Sequence, residues 1–472
     1  MTTINPAIFR GYDIRGIVGA DLNPETVTVI AKAYATFLIR RQIRHCVIGR
    51  DMRESSEGFQ NIFMEVLLAS GINVFDIGLT LTQIMYFAQY HYLSKGGVMI
   101  TASHNPREFN GMKLAVGFSD TLISSEIQEL LQIAQSGEFT SWGVPGAYEK
   151  DDVFPLYKEE LLSWTNLKNV KMKVVVDSLN GTTGKFLPDI FRSIGCEVIE
   201  AHTAIDPSFP LGTPDPTERR VMEMLSKEVQ DAQADLGFTF DSDGDRVGIV
   251  DASGQILWND VLVAMFASDI LHSLPGAPIV FNVLCSKATS DVIVAEGGKP
   301  VMWKVGHSFI KEKVKEERAP FGGELSGHFF FMDNFFGHDD GAFSSIRLVS
   351  YLVRTNQTLS QALSKIPKYV SSPEIKLGLA DAIKLQYVKD HFSADVKSLL
   401  PHATSIEIDG FRADTKDEMV VIRASQNGPY ITIKFEGRTQ EQYDHLKVGI
   451  ATFLKKYPEI KWNEGVNTDA FN

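Results

Sequence analysis

Lys173-Val174-Val175-Val176-Asp177, then an apolar stripe at Leu187, Ile190, Phe191 and Ile194, then Gly195-Cys196-Glu197-Val198-Ile199, reads as strand, helix and strand. The stripe has the spacing of one helix face turned toward a core. The glycine after it fits a helix C-terminal stop. Near-continuous apolar strands are those buried on both faces of a sheet. The same unit recurs on either side. Upstream it is Cys46-Val47-Ile48-Gly49, a stripe of Phe59, Ile62, Phe63, Val66 and Leu67, then Gly71-Ile72-Asn73-Val74-Phe75. Downstream it is Pro278-Ile279-Val280-Phe281-Asn282, a helix, then Gly298-Lys299-Pro300-Val301-Met302. Such units form right-handed crossovers and largely parallel sheets. Ligand groups then gather at the carboxyl ends of strands.

The end of the chain differs. Tyr430-Ile431-Thr432-Ile433-Lys434-Phe435 alternates apolar and polar, as a half-exposed antiparallel strand does. Ser405 to Gly410 is its expected partner strand. A helix is expected from Gln440 to Lys455, with Leu446, Ile450 and Leu454 inward. The expected architecture is three related α/β domains with mixed, largely parallel sheets, plus a smaller C-terminal α+β domain. Expected boundaries are 1–150, 151–255, 256–369 and 370–472. Gly137 to Ala147 reads as a linker.

Two loops at strand ends hold most of the chemistry. Thr101-Ala102-Ser103-His104-Asn105-Pro106 follows the apolar run Gly97 to Ile100 and puts a serine hydroxyl on a tight turn. Asp241-Ser242-Asp243-Gly244-Asp245-Arg246 follows the strand Ala234 to Phe240. Its three alternating carboxylates suit a hard divalent cation such as Mg²⁺, and Arg246 would turn a positive fork toward an approaching anion. An EF-hand needs Gly at the sixth position and Glu at the twelfth, where this loop has Arg246 and Ala252. A phosphorylated Ser103 would be stabilised by the metal, His104 and Lys113. Two further loops are candidates for binding. Gly322 to His328 offers Glu324, Ser326 and His328 at alternating positions, suited to sugar hydroxyls and proton transfer. Arg423-Ala424-Ser425-Gln426-Asn427-Gly428-Pro429 has the donors of a phosphate nest. Each of these two also fits a plain turn. No Walker loop, Gly-x-Gly-x-x-Gly or Gly-x-Ser-x-Gly occurs.

The chain has 472 residues, too many for one core, with 44% hydrophobic and 22% charged residues. A formal net charge of −13 argues against nucleic-acid or anionic-membrane partners. Cys46, Cys196 and Cys285 form no paired motif and read as reduced thiols. The first residues show no basic region followed by an apolar run, and no window is long and apolar enough to span a bilayer. The expectation is a soluble cytoplasmic protein, and the charge leaves room for a small anionic substrate that needs only a local cluster of Arg and Lys.

Taken together, Phe9-Arg10-Gly11-Tyr12-Asp13-Ile14-Arg15-Gly16, the Ser103 turn, the Asp241 loop, Gly306-His307, the Glu324 loop and the Arg423 loop resemble the α-D-phosphohexomutase family, phosphomannomutase/phosphoglucomutase branch. The resemblance runs over nearly the whole chain. It implies four domains around a central cleft, and a monomer or homodimer. It implies that phospho-Ser103 transfers its phosphoryl group through a hexose 1,6-bisphosphate. Asp241, Asp243, Asp245 and a phosphoserine oxygen would hold Mg²⁺. Arg15, Lys113 and His328 would take part in proton transfer and charge stabilisation. Tyr12, Arg246, His307, Glu324 and Ser326 would contact the substrate, and Arg423, Ser425 and Asn427 would clamp its other phosphate.

The chain departs from the family pattern in places. Val283-Leu284-Cys285 stands where Val-Lys-Cys is frequent, with Lys287 nearby; Gln426-Asn427 replaces Asn-Thr; Lys434 stands where Arg is common. Glu324 to His328 has the form of the dual mannose/glucose branch. Three alternatives stay open: a phosphoglucosamine mutase, a haloacid-dehalogenase-type phosphotransferase using Asp241 as nucleophile, and a silent sugar-phosphate-binding paralogue.

Overall fold

The structure, a computed structural model, describes residues 4–471 apart from 166 and 427. Among these residues the chain forms two compact units. One draws on 1–216, 225–254 and 334–356; the other on 217–224, 255–333 and 357–472.

In the first unit, a six-stranded sheet runs in the order Ile14–Ile17, Phe109–Ala115, Gly96–Ile100, His45–Arg50, Asn73–Leu79, Tyr148–Lys150. His45–Arg50 is parallel to both neighbours, as the strand–helix–strand reading requires. The next strands reverse. Phe109–Ala115 runs antiparallel to Gly96–Ile100 and to Ile14–Ile17. Register then sets the chemistry, because Lys113 lies opposite Met99 and Arg15 opposite Gly111. Three adjacent strands thus deliver Arg15, Lys113 and the Ser103 turn to one region. Only glycine fits at position 111, where a Cβ would lie 2.2 Å from the Ile14 carbonyl oxygen.

The core under this sheet is the predicted one. Phe59, Phe63 and Leu67 are buried on the helix Ser56–Ala69. A fully buried side chain of this size contributes about 1.5–3 kcal/mol. Gly71 and Gly195 adopt φ of +88° and +98° after their helices, whereas in the third unit Gly297 and not Gly298 takes that role at +73°. The expected linker is not free chain. Trp142 packs on the core, the Gly146 amide donates to the Leu68 carbonyl, and Tyr148–Lys150 extends the sheet.

A second sheet of this unit places Val247–Asp251, Leu236–Phe240, Lys173–Asp177 and Glu197–Ala201 side by side. The last three are mutually parallel and the first is antiparallel. The antiparallel return is what makes Asp241 to Arg246 a hairpin loop. The helix Gly341–Thr355, from much later in the chain, packs on Val247–Asp251 and on Leu187–Ser193.

In the second unit, Lys299–Trp303, Pro278–Asn282, Phe321–Gly323 and Phe329–Phe331 form a four-stranded sheet. Its first three strands are parallel and the last closes a hairpin, so Glu324 to His328 is a loop at a carboxyl end. The C-terminal sheet corrects one expectation. Thr404–Ile406 pairs with Phe411–Asp414, not with Tyr430–Gly437. Tyr430–Gly437 lies between Ile375–Gly378 and Glu418–Ala424, and Met419, Val420, Val421 and Ile422 of the latter are all buried. A continuous apolar run needs cover on both faces and takes the central place. The helix Gln440–Leu454 buries Leu446, Ile450 and Leu454 as predicted.

Buried polar ties join these two sheets. The Arg412 guanidinium donates to the carbonyls of Val283 and Cys285 at 2.7 and 2.6 Å. Glu436 accepts from the Lys287 amide at 2.6 Å. Lys434 pairs with Asp260, and both are at most 2% exposed. Removing one partner of such a pair leaves an uncompensated buried charge. Lys434→Met is therefore expected to destabilise the protein by about 3–5 kcal/mol. Lys434→Met/Asp260→Leu should recover much of the loss, as read by urea unfolding.

Candidate active site

Ser103 follows a buried strand and is itself 2% exposed, with φ of +51°. A left-handed backbone at a residue with a Cβ is unfavourable by about 1–3 kcal/mol and persists only where its surroundings impose it. The Ser103 amide donates to Thr101 Oγ1 at 2.8 Å, and Thr101 Oγ1 donates to Asp51 at 2.7 Å. The Ser103 hydroxyl donates to Asp241 Oδ2 at 2.7 Å and lies 3.0 Å from His104 Nδ1. Arg15 Nη1 donates to Asn105 Oδ1 at 2.6 Å in the same turn, while its Nε pairs with Asp13 at 2.7 Å. Tyr12 is buried beside Arg15.

The Asp241 loop closes over this turn. Gly244 takes φ of +81° at its tip, and its carbonyl accepts the Gly341 amide at 3.1 Å. Lys113 Nζ bridges Asp243, at 2.6 Å, and Asp245. Thr82 donates its hydroxyl to Asp243 Oδ2 at 2.6 Å and its amide to the Asp243 carbonyl. Arg246 does not extend its fork outward. Its Nε donates to Asp241 Oδ2 at 2.9 Å and its Nη1 to Asp215 at 3.2 Å. Asp241 Oδ2 thus receives both the serine hydroxyl and the guanidinium.

Three buried carboxylates on one loop hold more negative charge than Lys113 and Arg246 offset. Burial, with repulsion from Asp245 and Asp243, pushes Asp241 up to about 7. Burial and Asp243 push Asp245 up to about 6. Burial alone would raise Asp243 too, but the Lys113 charge and hydrogen bond hold it below the usual range. Burial works against the Lys113 ammonium, yet the carboxylates around it keep it firmly protonated. The donor set fits a hard cation. One oxygen from each of Asp241, Asp243 and Asp245 lies within 4.8 Å of the others, and Asp243 Oδ1 is buried with no hydrogen bond. An all-oxygen set of this charge suits Mg²⁺.

The second unit gathers the sugar and phosphate candidates. Glu324 Oε1 accepts from Asn282 Nδ2 at 2.9 Å and from the Gly306 amide at 2.8 Å. The His307 and His328 rings stack with centroids 5.4 Å apart. Ser326 is half-buried on the same loop. Arg423 Nε pairs with Asp409 at 2.9 Å, and the same carboxylate oxygen accepts the Val305 amide, beside Gly306. Lys384 takes the carbonyls of Ser425 and Gly428, and the Ser425 amide donates to the Tyr430 carbonyl at 3.0 Å. Asn427 lies outside the described residues. Leu284 is buried, and Lys287 Nζ points to Asp291 at 3.6 Å, so it does not replace the missing lysine. Lys434 faces Asp260.

Sequence reasoning missed Asp51, Arg53, Thr82, Asp215, Asn282, Lys384 and Asp409. For the first two a signal existed: Asp51-Met52-Arg53 follows the carboxyl end of an apolar strand. The others are placed by chain crossings that no local pattern reports.

A buried serine hydroxyl directed at an acidic, cation-suited hairpin on a parallel α/β scaffold defines a phosphotransfer site. The chain matches "Phosphoglucomutase/phosphomannomutase, alpha/beta/alpha domain I" over residues 6–141, domain II over 155–254 and domain III over 258–369. A phosphomannomutase/phosphoglucomutase of Pseudomonas aeruginosa is 36% identical over 453 residues, 96% of each chain. A phosphoglucomutase of Neisseria gonorrhoeae is 33% identical over 98% of this chain and 100% of its own. The crystal structure of a phosphoglucomutase/phosphomannomutase family protein of Burkholderia thailandensis aligns with a TM-score of 0.85 at 31% identity, covering 96% of this chain and 98% of that one. The protein belongs to the phosphoglucomutase/phosphomannomutase family, within the α-D-phosphohexomutases. Among the described residues no helix is long and apolar enough to cross a membrane.

Asp340 caps the helix Gly341–Thr355, accepting from the Phe343 amide at 2.8 Å and from the Tyr157 hydroxyl. Asp339 and His338 are its titratable neighbours. Burial outweighs these hydrogen bonds and pushes Asp340 up to about 7. The folded state therefore keeps a proton that an unfolded Asp releases near pH 4, and this group's contribution falls as pH rises from about 4 to about 7. Asp340→Asn keeps a capping side chain and removes the titration. Its stability relative to wild type should rise between pH 5 and pH 7 in urea unfolding.

Proposed function

We propose that this protein interconverts hexose 1-phosphates and hexose 6-phosphates, with both mannose and glucose as substrates, through phosphorylated Ser103. The observation that carries the reading is the Ser103 hydroxyl, 2.7 Å from Asp241 on a strained turn beside the Lys113-bridged carboxylates. The relatives named above, called phosphomannomutase/phosphoglucomutase and phosphoglucomutase, supply the substrate class.

In the forward step the Ser103 Oγ–phosphorus bond breaks as a phosphorus–oxygen bond forms to the free hydroxyl of the sugar phosphate. The hydroxyl proton leaves to a base, and an acid protonates the departing Ser103 Oγ, so that Ser103 is left as the free alcohol. The product is a hexose 1,6-bisphosphate, which returns its other phosphate to Ser103 by the reverse chemistry. Asp241, Asp243 and Asp245 would hold Mg²⁺, which when bound supplies positive charge against the transferring group. Lys113, hydrogen-bonded to Asp243 at 2.6 Å, is placed for charge stabilisation and proton transfer. Arg15 steadies the turn through Asn105, with His104 next to the hydroxyl. Glu324 and Ser326 offer acceptors for sugar hydroxyls, His307 and His328 imidazoles for proton transfer, and Arg423 with Ser425 donors for the second phosphate. We place domain limits at 150, 255 and 369 as part of this proposal. Use of Asp241 as nucleophile is opposed by its double commitment to Ser103 and Arg246.

Conversion of mannose 1-phosphate to mannose 6-phosphate, with Mg²⁺ and a trace of hexose 1,6-bisphosphate, tests the reading. Turnover is expected, with label from the bisphosphate on Ser103 and none on Asp241. Ser103→Ala should lower kcat by about three orders of magnitude or more with an unchanged circular dichroism spectrum. No mutase turnover in the primed wild-type protein would overturn the proposal. Asp243→Asn should raise the Mg²⁺ concentration for half-maximal turnover by about tenfold or more, and an unchanged metal dependence would count against the loop.

A further inference from the structure

Arg53 is 3% exposed and sits directly behind the serine turn. Its guanidinium has five N–H groups, and each is committed. Nε donates to Asp51 Oδ2 at 3.1 Å. Nη1 donates to the carbonyls of Pro106 and Phe109 at 2.8 and 2.9 Å. Nη2 donates to the carbonyls of Ser103 and Asn105 at 2.8 and 2.6 Å. Asp51 is anchored in turn by the Ser56 hydroxyl at 2.6 Å and by the Arg53 amide, and it accepts the Thr101 hydroxyl of the same turn. One planar cation thus collects four carbonyl oxygens from residues 103 to 109. With its own carbonyl drawn to Arg53, Ser103 is held at φ of +51° and its hydroxyl is left on the Asp241 side.

We propose that Arg53 is a positioning residue for phosphoryl transfer: by gathering these carbonyls it imposes the left-handed Ser103 backbone that aims Oγ at the Asp241 loop. Arg53 hydrogen-bonds neither the hydroxyl nor the Asp241-loop carboxylates; Asp243 feels its charge at a distance, and its direct contacts with the site run through the turn. Lysine keeps the charge but lacks the planar fork, and its three donors cannot span four carbonyls and Asp51. Without the fork, Ser103 relaxes to negative φ and Oγ leaves the Asp241 oxygen. The role of this displacement in turnover rests on the mutase reading above; the backbone effect does not.

The test uses the full-length protein with Arg53→Lys and Arg53→Gln, assayed well below their unfolding temperatures. A misplaced reacting atom lowers kcat about 100-fold, whereas KM, set by the phosphate and sugar loops, should stay within about threefold. The rate of Ser103 phosphorylation by hexose 1,6-bisphosphate, followed by intact mass, should fall as kcat does. Crystal structures of the variants should show Ser103 at negative φ. Wild-type kcat in either folded variant overturns the proposal, as does a variant structure with Ser103 still left-handed and bonded to Asp241. Failure of both variants to fold assigns Arg53 to the fold alone and also overturns it. If the wild-type protein shows no mutase turnover, the mutase reading fails, and the Ser103 backbone in the variant structures still decides the role of Arg53.

Discussion

Three aspartates crowded onto one buried hairpin set the terms for everything near them. Carboxylates this close repel one another and lose hydration, so the fold must bring positive charge to them. It does so from two directions. Lys113 arrives from the neighbouring sheet and Arg246 folds back from the loop's own end. The serine hydroxyl then finds its acceptor on the carboxylate oxygen that Arg246 also holds. Thr82 and the Gly341 amide fix the remaining loop backbone. The hairpin is thus an organised anion whose oxygen donors suit a hard cation.

A second theme is how the anion-handling loops are held. Arg53 captures carbonyls of the serine turn, and Lys384 captures those of the phosphate loop. A loop whose carbonyls face an interior cation is held from inside the fold. Buried cations therefore serve this chain as internal props as well as ligands for substrate. Their commitment to backbone oxygens explains why net charge says so little about where phosphate binds.

Much of this was legible in the sequence because its signals were short. The repeat of strand, helix and Gly-x-x-Val strand gave the sheets, since the periods of helix and strand are local. Ser103 and the Asp241 loop stood out because each places its reactive groups within six residues. Lys113 was found because an adjacent strand returns it. Arg53, Thr82 and Asp215 escaped because their partners lie 50, 161 and 31 residues away, and only the crossing of elements brings them together. The pairing of Thr404–Ile406 was misjudged because the buried run Met419–Ile422, not alternation, decides which strand is central. The fork of Arg246 was expected to face a ligand; the carboxylates of Asp241 and Asp215 claim it first.

The helix Gly341–Thr355 packs against a sheet whose strands all end at least 84 residues earlier in the chain, and its first amide bonds the tip of the acidic hairpin. During translation the first unit therefore waits for a late segment before its hairpin is braced. Meanwhile the nascent chain holds a cluster of carboxylates without its full backbone support. Assembly of the phosphotransfer centre is in this way tied to completion of the sugar-loop sheet, which must be made before residue 341 can return. A fragment ending after the second sheet would contain the serine, the lysine and all three aspartates, yet would lack the strut that holds the hairpin. Chain order alone then leaves the hairpin unbraced until the Glu324 loop has emerged.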